Sequence, residues 1–333
     1  MLDSPRLPLR PKPRTYLPAA VGQKPDRDWV EPVPQESADS VDIGIHSIRL
    51  SNPTEGLQEH VRFYAHREGR LGKTLVHPVP ARAAHMIDFA FGDSFEIQRY
   101  DSPIIEKAHR TTIVGLQTYR RVQLRMTGTI ESFSIFFQPI GLHRMFHLPM
   151  HELTDIDLEG REVFGPWITD LEQRLGNSRS FEERVRIANE YLLRYCGTQP
   201  RLRDVSQASR TILRRRGDIQ ISLLAQHAGI SGRQFERKFA LEVGVGPKLL
   251  ARIARFEAAL ESKAMSAGDS WTNVANQLGY HDQMHMIRDF KQFSGEVPTS
   301  LLDHFETIYE GHLNGRRSNR QVPTLRRHPP MIL

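Results

Sequence analysis

The sequence has almost no cysteine and no long apolar run. Cys196 is the single cysteine among 333 residues, which excludes a disulfide framework and a cysteine cluster. No stretch approaches the roughly 18 consecutive apolar residues that a membrane-spanning helix needs. The N-terminus also lacks the basic-then-apolar pattern of a secretion signal. We therefore expect a soluble cytoplasmic protein without a membrane segment.

Excess positive charge is missing from the first part of the chain and concentrated in the last part. From Thr198 onward 20 Lys and Arg face 13 Asp and Glu, a net charge of +7, whereas the preceding residues have 25 against 26, a net charge of −1. Positive charge confined to one region is typical of a surface that binds phosphates. A well-solvated basic surface gives the same count, so charge alone leaves both interpretations open.

Large apolar residues are scarce at both ends of the chain. Eight of the first 40 residues are proline, so we interpret residues 1–41 as a disordered arm. Residues 305–333, rich in Arg, Asn and Pro toward the end, are interpreted as a C-terminal tail. Between these ends the sequence predicts two domains, at residues 42–197 and 217–304, joined by a polar, Arg-rich linker at 198–216.

The first domain begins with short β-type runs and continues with helical periodicity. Strands are predicted at residues 45–50, 74–79, 86–91, 113–117, 122–127 and 130–137. The Thr127-Gly128-Thr129 break predicts a hairpin. After Pro139 the apolar spacing becomes helical, at 167–175 and 185–192. We expect a small β-barrel or sandwich followed by helices, and hence an α+β protein whose second domain is all-α.

The second domain contains two copies of a pattern of seven positions. The second copy has one extra residue, near Asp282. Chance seldom repeats seven positions in order. The first copy is Ala225, Gly229, Phe235, Arg237, Phe239, Gly244 and Pro247, and the second is Ala275, Gly279, Met286, Arg288, Phe290, Gly295 and Pro298.

Each copy has the parts of a helix-turn-helix unit. Gly229 and Gly279 supply the positive φ of the turn, and Ser231 and Asp282 cap the helix that follows. The apolar face of that helix is expected at Phe235 and Phe239 in the first copy and at Met286, Phe290 and Phe293 in the second. Between the copies, residues 248–262 keep helical spacing without Gly or Pro, which predicts a continuous linker helix.

Short strings in both copies match a known domain. They are Leu224-Ala225, Gly229-Ile230-Ser231, Arg237-Lys238-Phe239, Gly246-Pro247, Arg255 and Ala258, then Val274-Ala275, Leu278-Gly279-Tyr280, Asp282-Gln283, Arg288-Asp289-Phe290-Lys291, Gly295 and Pro298. Residues 205–304 thus resemble the DNA-binding domain of AraC/XylS-type transcriptional regulators. Met286 departs from the usual aromatic, and Thr299-Ser300-Leu301-Leu302 replaces the common aromatic-Arg ending.

The resemblance implies a sequence-specific DNA-binding transcription regulator. Two helix-turn-helix units would enter successive major grooves of double-stranded promoter or operator DNA, roughly 34 Å apart on one face. RNA polymerase is a further candidate partner. The first domain would sense a small-molecule effector, form a homodimer, or both.

The resemblance places the DNA-contacting residues on the exposed faces of the two recognition helices. They are Ser231, Arg233, Gln234, Glu236, Arg237 and Lys238 in the first unit and Asp282, Gln283, Met284, Ile287, Arg288 and Lys291 in the second. Arg233 and Arg237 suit guanine, Glu236 suits cytosine and Gln283 suits adenine. Met284 or Ile287 suits a thymine methyl group, and Arg288 and Lys291 suit phosphates.

Three residues near strand ends, His77, Arg82 and His85, are the first candidates for contact with an effector, although no effector-binding residue is assigned. His281 and His285 are spaced as a metal pair but lack a third ligand, so we expect no metal, cofactor or enzymatic activity.

Three alternatives stay open. The first is a DNA-binding domain fused to a cupin-like metal-dependent enzyme, although no His-x-His motif is found. The second is a fused DNA-repair enzyme with a reactive cysteine, for which Cys196 is the only candidate. The third is a structural module whose helix-turn-helix units no longer bind DNA.

Overall fold

The computed structural model describes residues 44–196, 204–266 and 268–303. The predicted arm at 1–41 and the predicted tail at 305–333 lie outside these residues. The strands are β1 Gly44–Ser51, β2 Val61–Val79, β3 Met86–Ala90, β4 Glu96–Arg99, β5 Ile105–Lys107, β6 Thr111–Val114, β7 Val122–Phe137 and β8 Asp157–Glu159. The helices are α1 Gly141–Phe146, α2 Met150–Leu153, α3 Gly160–Phe164, α4 Pro166–Gly176, α5 Phe181–Leu193, α6 Asp204–Arg214, α7 Ile221–His227, α8 Gly232–Val243, α9 Pro247–Met265, α10 Trp271–Gln277 and α11 Gln283–Ser294.

The eight strands form one antiparallel sheet that is built around two long strands. The order is β1-β2-β7-β3-β6-β8, and β4 pairs with both β7 and β5. β2 and β7 pair from Val61 and Phe137 at one end to Val79 and Val122 at the other. Side chains of six strands line a single pocket, so the sheet curves around it. The predicted α+β class is confirmed, but the sheet is not a closed barrel, because β1 and β8 end the strand order without pairing with each other.

The hairpin predicted at Thr127-Gly128-Thr129 is wrong. Gly128 has a φ of +73°, yet the chain continues in one direction as β7, and both halves of β7 pair with β2. The irregularity is absorbed on the partner strand, where the register shifts between Leu71 and Leu75. A glycine in a strand interior therefore marks a bulge here and not a reversal.

Two apolar cores organise the molecule. One joins the sheet to the helices α1–α5, including the predicted helical segments that became α4 and α5. The other fills the helical domain and continues into the sheet, where Phe63 and Phe136 stack with ring centroids 4.5 Å apart. The two domains therefore share a core across their contact.

The helical domain begins earlier than its predicted start. α6 occupies residues expected to form the linker, and its buried Val205, Ala208 and Ile212 pack into the helical core. α9 contains the whole predicted linker helix, with Pro247 in its first turn. Among the described residues, no helix is long and apolar enough to cross a membrane.

Candidate DNA-binding surface

The two copies of the repeat fold as two helix-turn-helix units, α7–α8 and α10–α11. The turns contain Gly229 with a φ of +67° and Gly279 with a φ of +69°. Both recognition helices are capped as the sequence predicts, by Ser231 for α8 and Asp282 for α11. The apolar residues predicted on the two helices, Phe235, Phe239, Met286, Phe290 and Phe293, are completely buried. Burial of one face leaves the other face of each helix to solvent.

Ten of the twelve residues predicted to contact DNA are exposed, and Lys238 and Ile287 are half-buried. Within α8, Arg233 and Arg237 lie one turn apart on the open face. The N-terminal turn of α8 forms a capping box in which Ser231 Oγ accepts from the Gln234 backbone N–H and Gln234 Oε1 accepts from the Ser231 N–H, both at 3.3 Å. The Gln234 side chain thus folds back over the helix end, whereas Arg233, Glu236 and Arg237 are exposed on the first unit.

The second recognition helix begins with a different arrangement. Asp282 Oδ1 accepts from the His285 backbone N–H at 2.6 Å, and this hydrogen bond lowers the pKa of the Asp282 carboxyl group. The Thr272 hydroxyl, on α10, donates to Gln283 Oε1 at 2.8 Å. Met284 stands 57% exposed on the same turn, which is unusual for a large apolar side chain. The sequence interpretation missed Thr272 because only the folded turn brings it beside Gln283.

The linker helix α9 contacts the second unit through a partly buried ion pair and an aromatic cluster. Arg252 donates to Asp289 Oδ1 at 2.6 Å, and the Asp289 side chain is 1% exposed. Phe256 meets Phe290 edge-on at 4.8 Å between centroids and packs against Phe293 at 5.5 Å. Asp289 occupies the repeat position of Lys238, so its structural role was not evident from the first unit.

His281 and His285 contact different neighbours. His281 Nδ1 lies 3.2 Å from Asp282 Oδ2, while the His285 ring packs edge-on against Tyr280 at 5.7 Å between centroids. Within the described residues, no group of three His, Cys, Asp or Glu side chains is arranged to hold a metal ion.

The curved sheet lines a pocket of about 70 Å³ that opens to solvent. The pocket walls are largely apolar, with side chains that include Val79, Val114 and Leu124. His77 and Arg82, two of the three candidate effector-binding residues, line this pocket.

Most of the polar groups in the pocket already have partners in the protein. Asp88 accepts from Ser134 at 2.5 Å and lies 3.6 Å from Arg67, and Asp157 pairs with Arg121. Gln117 differs, because its Oε1 is buried without a hydrogen-bond partner among the described residues. An unpaired buried amide oxygen favours a ligand that donates a hydrogen bond.

His85, the third candidate, lies outside the pocket and is completely buried between the two domains. Its Nδ1 accepts from the Leu116 backbone N–H at 3.1 Å, and its Nε2 donates to the Val243 carbonyl at 2.9 Å. Both ring nitrogens are satisfied in the neutral form, and burial lowers the pKa of His85 to about 4. His85 is therefore a neutral side chain that joins the domains.

Two family models match the chain. A helix-turn-helix domain matches residues 224–304, and a domain of unknown function (DUF6597) matches residues 50–159. No curated protein matches the chain.

Several solved structures are similar overall. ToxT from Vibrio cholerae O395 is 9% identical with a TM-score of 0.41, over 72% of this chain and 96% of that chain. Unsaturated fatty acid-bound ToxT from Vibrio cholerae strain SCE256 is 10% identical with a TM-score of 0.41, over 72% of this chain and 94% of that chain. The AraC-like transcriptional activator CuxR is 14% identical with a TM-score of 0.22, over 63% of this chain and 85% of that chain.

The domain match covers both helix-turn-helix units and the helix between them. It agrees with the turns, caps and buried faces described above. The C-terminal part of this chain is a helix-turn-helix domain of the AraC type, and the protein is a DNA-binding transcription regulator.

Proposed function

We propose that the protein recognises a specific promoter or operator sequence in the cytoplasm by placing α8 and α11 in two successive major grooves on one face of the duplex. The observation that carries this proposal is the pair of equivalent recognition helices with open N-terminal halves, joined by the single helix α9. Side chains near the start of a recognition helix are the ones that reach base edges in helix-turn-helix proteins.

The exposed residues divide by chemistry into base readers and phosphate binders. Arg233 and Arg237 suit bidentate contact with guanine, and Glu236 suits the cytosine amine. Met284 offers an apolar contact for a thymine methyl group. Arg288 and Lys291 suit phosphate contacts, which position the second unit without reading sequence.

Selection of bound duplexes from a random pool tests the proposal. Wild-type protein is expected to enrich one sequence, and Arg233→Ala and Gln283→Ala are each expected to relax preference at a few neighbouring bases, at a cost of about 1–3 kcal/mol. Arg161→Ala, which removes an exposed arginine of the first domain, serves as the control and should leave preference and affinity unchanged. Binding that falls steeply with salt but shows no sequence preference would contradict the proposal.

The pocket in the sheet supports a small-molecule effector as a second partner. Its largely apolar walls and the unpaired Gln117 oxygen fit a compact, mostly apolar molecule that donates at least one hydrogen bond. Metal analysis of the purified protein addresses the cupin-like alternative, because stoichiometric iron, zinc or manganese would favour an enzyme. Dimerisation and contact with RNA polymerase stay predictions.

A further inference from the structure

One short segment of the first domain lies between the pocket and the helical domain. This bridging segment, residues 81–86, contacts the helical domain through alternate residues. The Ala81 N–H donates to the Phe293 carbonyl at 2.8 Å, the Ala83 N–H donates to Glu257 Oε1 at 2.9 Å, and His85 Nε2 donates to the Val243 carbonyl at 2.9 Å. Those partners lie on α11, α9 and α8, so the bridging segment touches both recognition helices and the helix between them.

Two side chains of the bridging segment also reach the pocket. Arg82 and Met86 both line it, and the Arg82 guanidinium lies 3.1 Å from the Met86 sulfur. The Ala81 and Ala83 contacts use backbone N–H groups, whereas Arg82 and Met86 contribute side chains to the pocket, so one segment serves two surfaces. The Arg82 backbone also forms two hydrogen bonds with the backbone of Gln117, at 2.8 and 3.1 Å. Gln117 lines the pocket as well, so the bridging segment is bonded to another part of the pocket wall.

The first domain contacts the same end of each recognition helix. At the end of α8, the Thr154 hydroxyl donates to the Gly244 carbonyl at 2.8 Å. At the end of α11, Arg120 pairs with Glu296 at 2.7 Å. Gly244 and Gly295, which occupy equivalent repeat positions, are so close to the first domain that a Cβ atom would lie 2.6 Å from Thr154 Oγ1 or from the Arg120 guanidinium. The N-terminal halves that face DNA are left open.

These contacts are difficult to change one at a time. His85 and Val243 are both buried, so separating the His85 ring from the Val243 carbonyl would leave buried polar groups unpaired. Closely packed cores transmit a displacement instead of absorbing it. A shift of Arg82 or Met86 therefore moves the ends of α8 and α11 together.

We propose that the bridging segment transmits occupancy of the pocket to both recognition helices, changing their relative orientation and hence the affinity for DNA. This inference rests on the proposed function, because it names how the effector pocket controls the reading units. A ligand needs no contact with the helical domain to act in this way. It only has to displace the pocket-facing side chains of the bridging segment.

Cavity-filling substitutions replace the unidentified ligand in the test. Leu124→Phe and Val114→Phe add volume to the pocket wall, and Val76→Phe adds an aromatic ring at an exposed position of β2 outside the pocket. Each is combined with Glu257→Ala, which removes the acceptor for the Ala83 N–H, and with Glu257→Gln, which retains an acceptor. The full-length chain and its selected duplex are used throughout.

We expect each pocket substitution to change the Kd for the duplex by about fivefold or more, the lower range of allosteric coupling. The change should persist with Glu257→Gln and shrink below about twofold with Glu257→Ala, as in a double-mutant cycle between coupled sites. Val76→Phe should have no effect in any background. Hydrogen exchange of residues 243–245 and 293–296 should change with the pocket substitutions even where stability falls.

Two results would overturn the inference while leaving the proposed function intact. One is sequence-specific binding that neither pocket substitution alters, with unchanged hydrogen exchange at both helix ends. The other is a change in Kd that is as large with Glu257→Ala as without it. Failure of the proposed function is distinguishable, since no variant would then prefer any duplex sequence.

Discussion

The hydrogen bond between Thr272 and Gln283 orients the glutamine amide, and we expect it to decide which end of the amide a base would meet. A free glutamine reads adenine with both its oxygen and its nitrogen. Here one of the two lone pairs of the oxygen accepts from the Thr272 hydroxyl at 2.8 Å, so we expect the Nε2 hydrogens to be the groups offered to the base. The equivalent positions in the first unit are Ser222 and Gly232, where no side chain is available to be held. We therefore expect Gln283 held in this way to suit guanine, whose N7 and O6 both accept, better than adenine, whose N6 amine needs an acceptor.

Two substitutions test the role of Thr272 in orienting the Gln283 amide. Thr272→Val frees the amide, and we expect the selected base opposite Gln283 to shift toward adenine. Gln283→Glu replaces donors by an acceptor, and we expect a shift toward cytosine or adenine, whose amines donate. Duplex selection measures both, and Ser222→Ala is the control in the first unit. An adenine preference in wild type that Thr272→Val leaves unchanged would refute the assigned role of Thr272.

His85 makes stability depend on pH in a defined direction. Its pKa in the folded protein is about 4, below the ordinary value of 6.5, so the unfolded chain binds the proton first as pH falls. The contribution of neutral His85 is complete above pH 6.5 and is lost between pH 6.5 and pH 4, with a magnitude of up to about 3 kcal/mol.

The measurement for His85 is urea unfolding at several pH values. Burial also lowers the pKa of His60 and His66, so the comparison is with His85→Gln, whose amide can both accept and donate. We expect the variant to lose less stability than wild type between pH 6.5 and pH 4. If the free energy of unfolding fell equally with pH in both proteins, the pKa of His85 would not be lowered by folding.

At the scale of elements, the reading units could be predicted from the sequence and much of the sheet could not. Turn glycines, helix caps and buried faces depend on residues within one helix and its turn, so Gly229, Ser231 and Phe235 were sufficient for the first unit. Strand pairs depend on contacts far apart in the chain. Hence β8 was missed, because its partner β6 lies far from it in the chain, and Gly128 suggested a hairpin because its partner strand was unknown. Side-chain pairs such as Arg252–Asp289 were missed for the same reason.

The turn glycine and the helix-end glycine of the first unit are needed for different physical reasons. Gly229 has a φ of +67° with nothing near its missing Cβ, whereas Gly244 has a φ of +102° and would place a Cβ 2.6 Å from Thr154. Gly229→Ala should cost only backbone strain, about 1–2 kcal/mol. Gly244→Ala should cost more, because the domain contact must also open.

Chemical denaturation of the two alanine variants compares these costs directly. A Thr154→Ala background removes the hydroxyl that Gly244→Ala would meet and should narrow the difference between them. Equal costs for Gly229→Ala and Gly244→Ala in the wild-type background would mean that the first domain does not rest on the end of α8.

At the scale of the whole molecule, two sets of contacts restrain the separation of the two helix-turn-helix units. α9 has 19 residues and is about 28 Å long, close to one turn of duplex DNA. The first domain adds a second tie by contacting the ends of both recognition helices. A chain held at two places resists adjustment to a different spacing, so we expect the distance between half-sites to be part of the recognised sequence.

Insertions between the two half-sites distinguish a rigid spacer from a flexible tether. We expect an insertion of about 5 base pairs to lower affinity by about tenfold or more, because it turns one half-site to the opposite face. An insertion of about 10 base pairs restores the face but lengthens the separation by roughly 34 Å, and a rigid molecule should lose as much there. On either inserted duplex, Arg288→Ala should have little further effect, since the second unit has already left its site, whereas Arg237→Ala should still weaken binding. Recovery of affinity with the longer insertion would show that the units move independently, and neither α9 nor the first domain would then set their spacing.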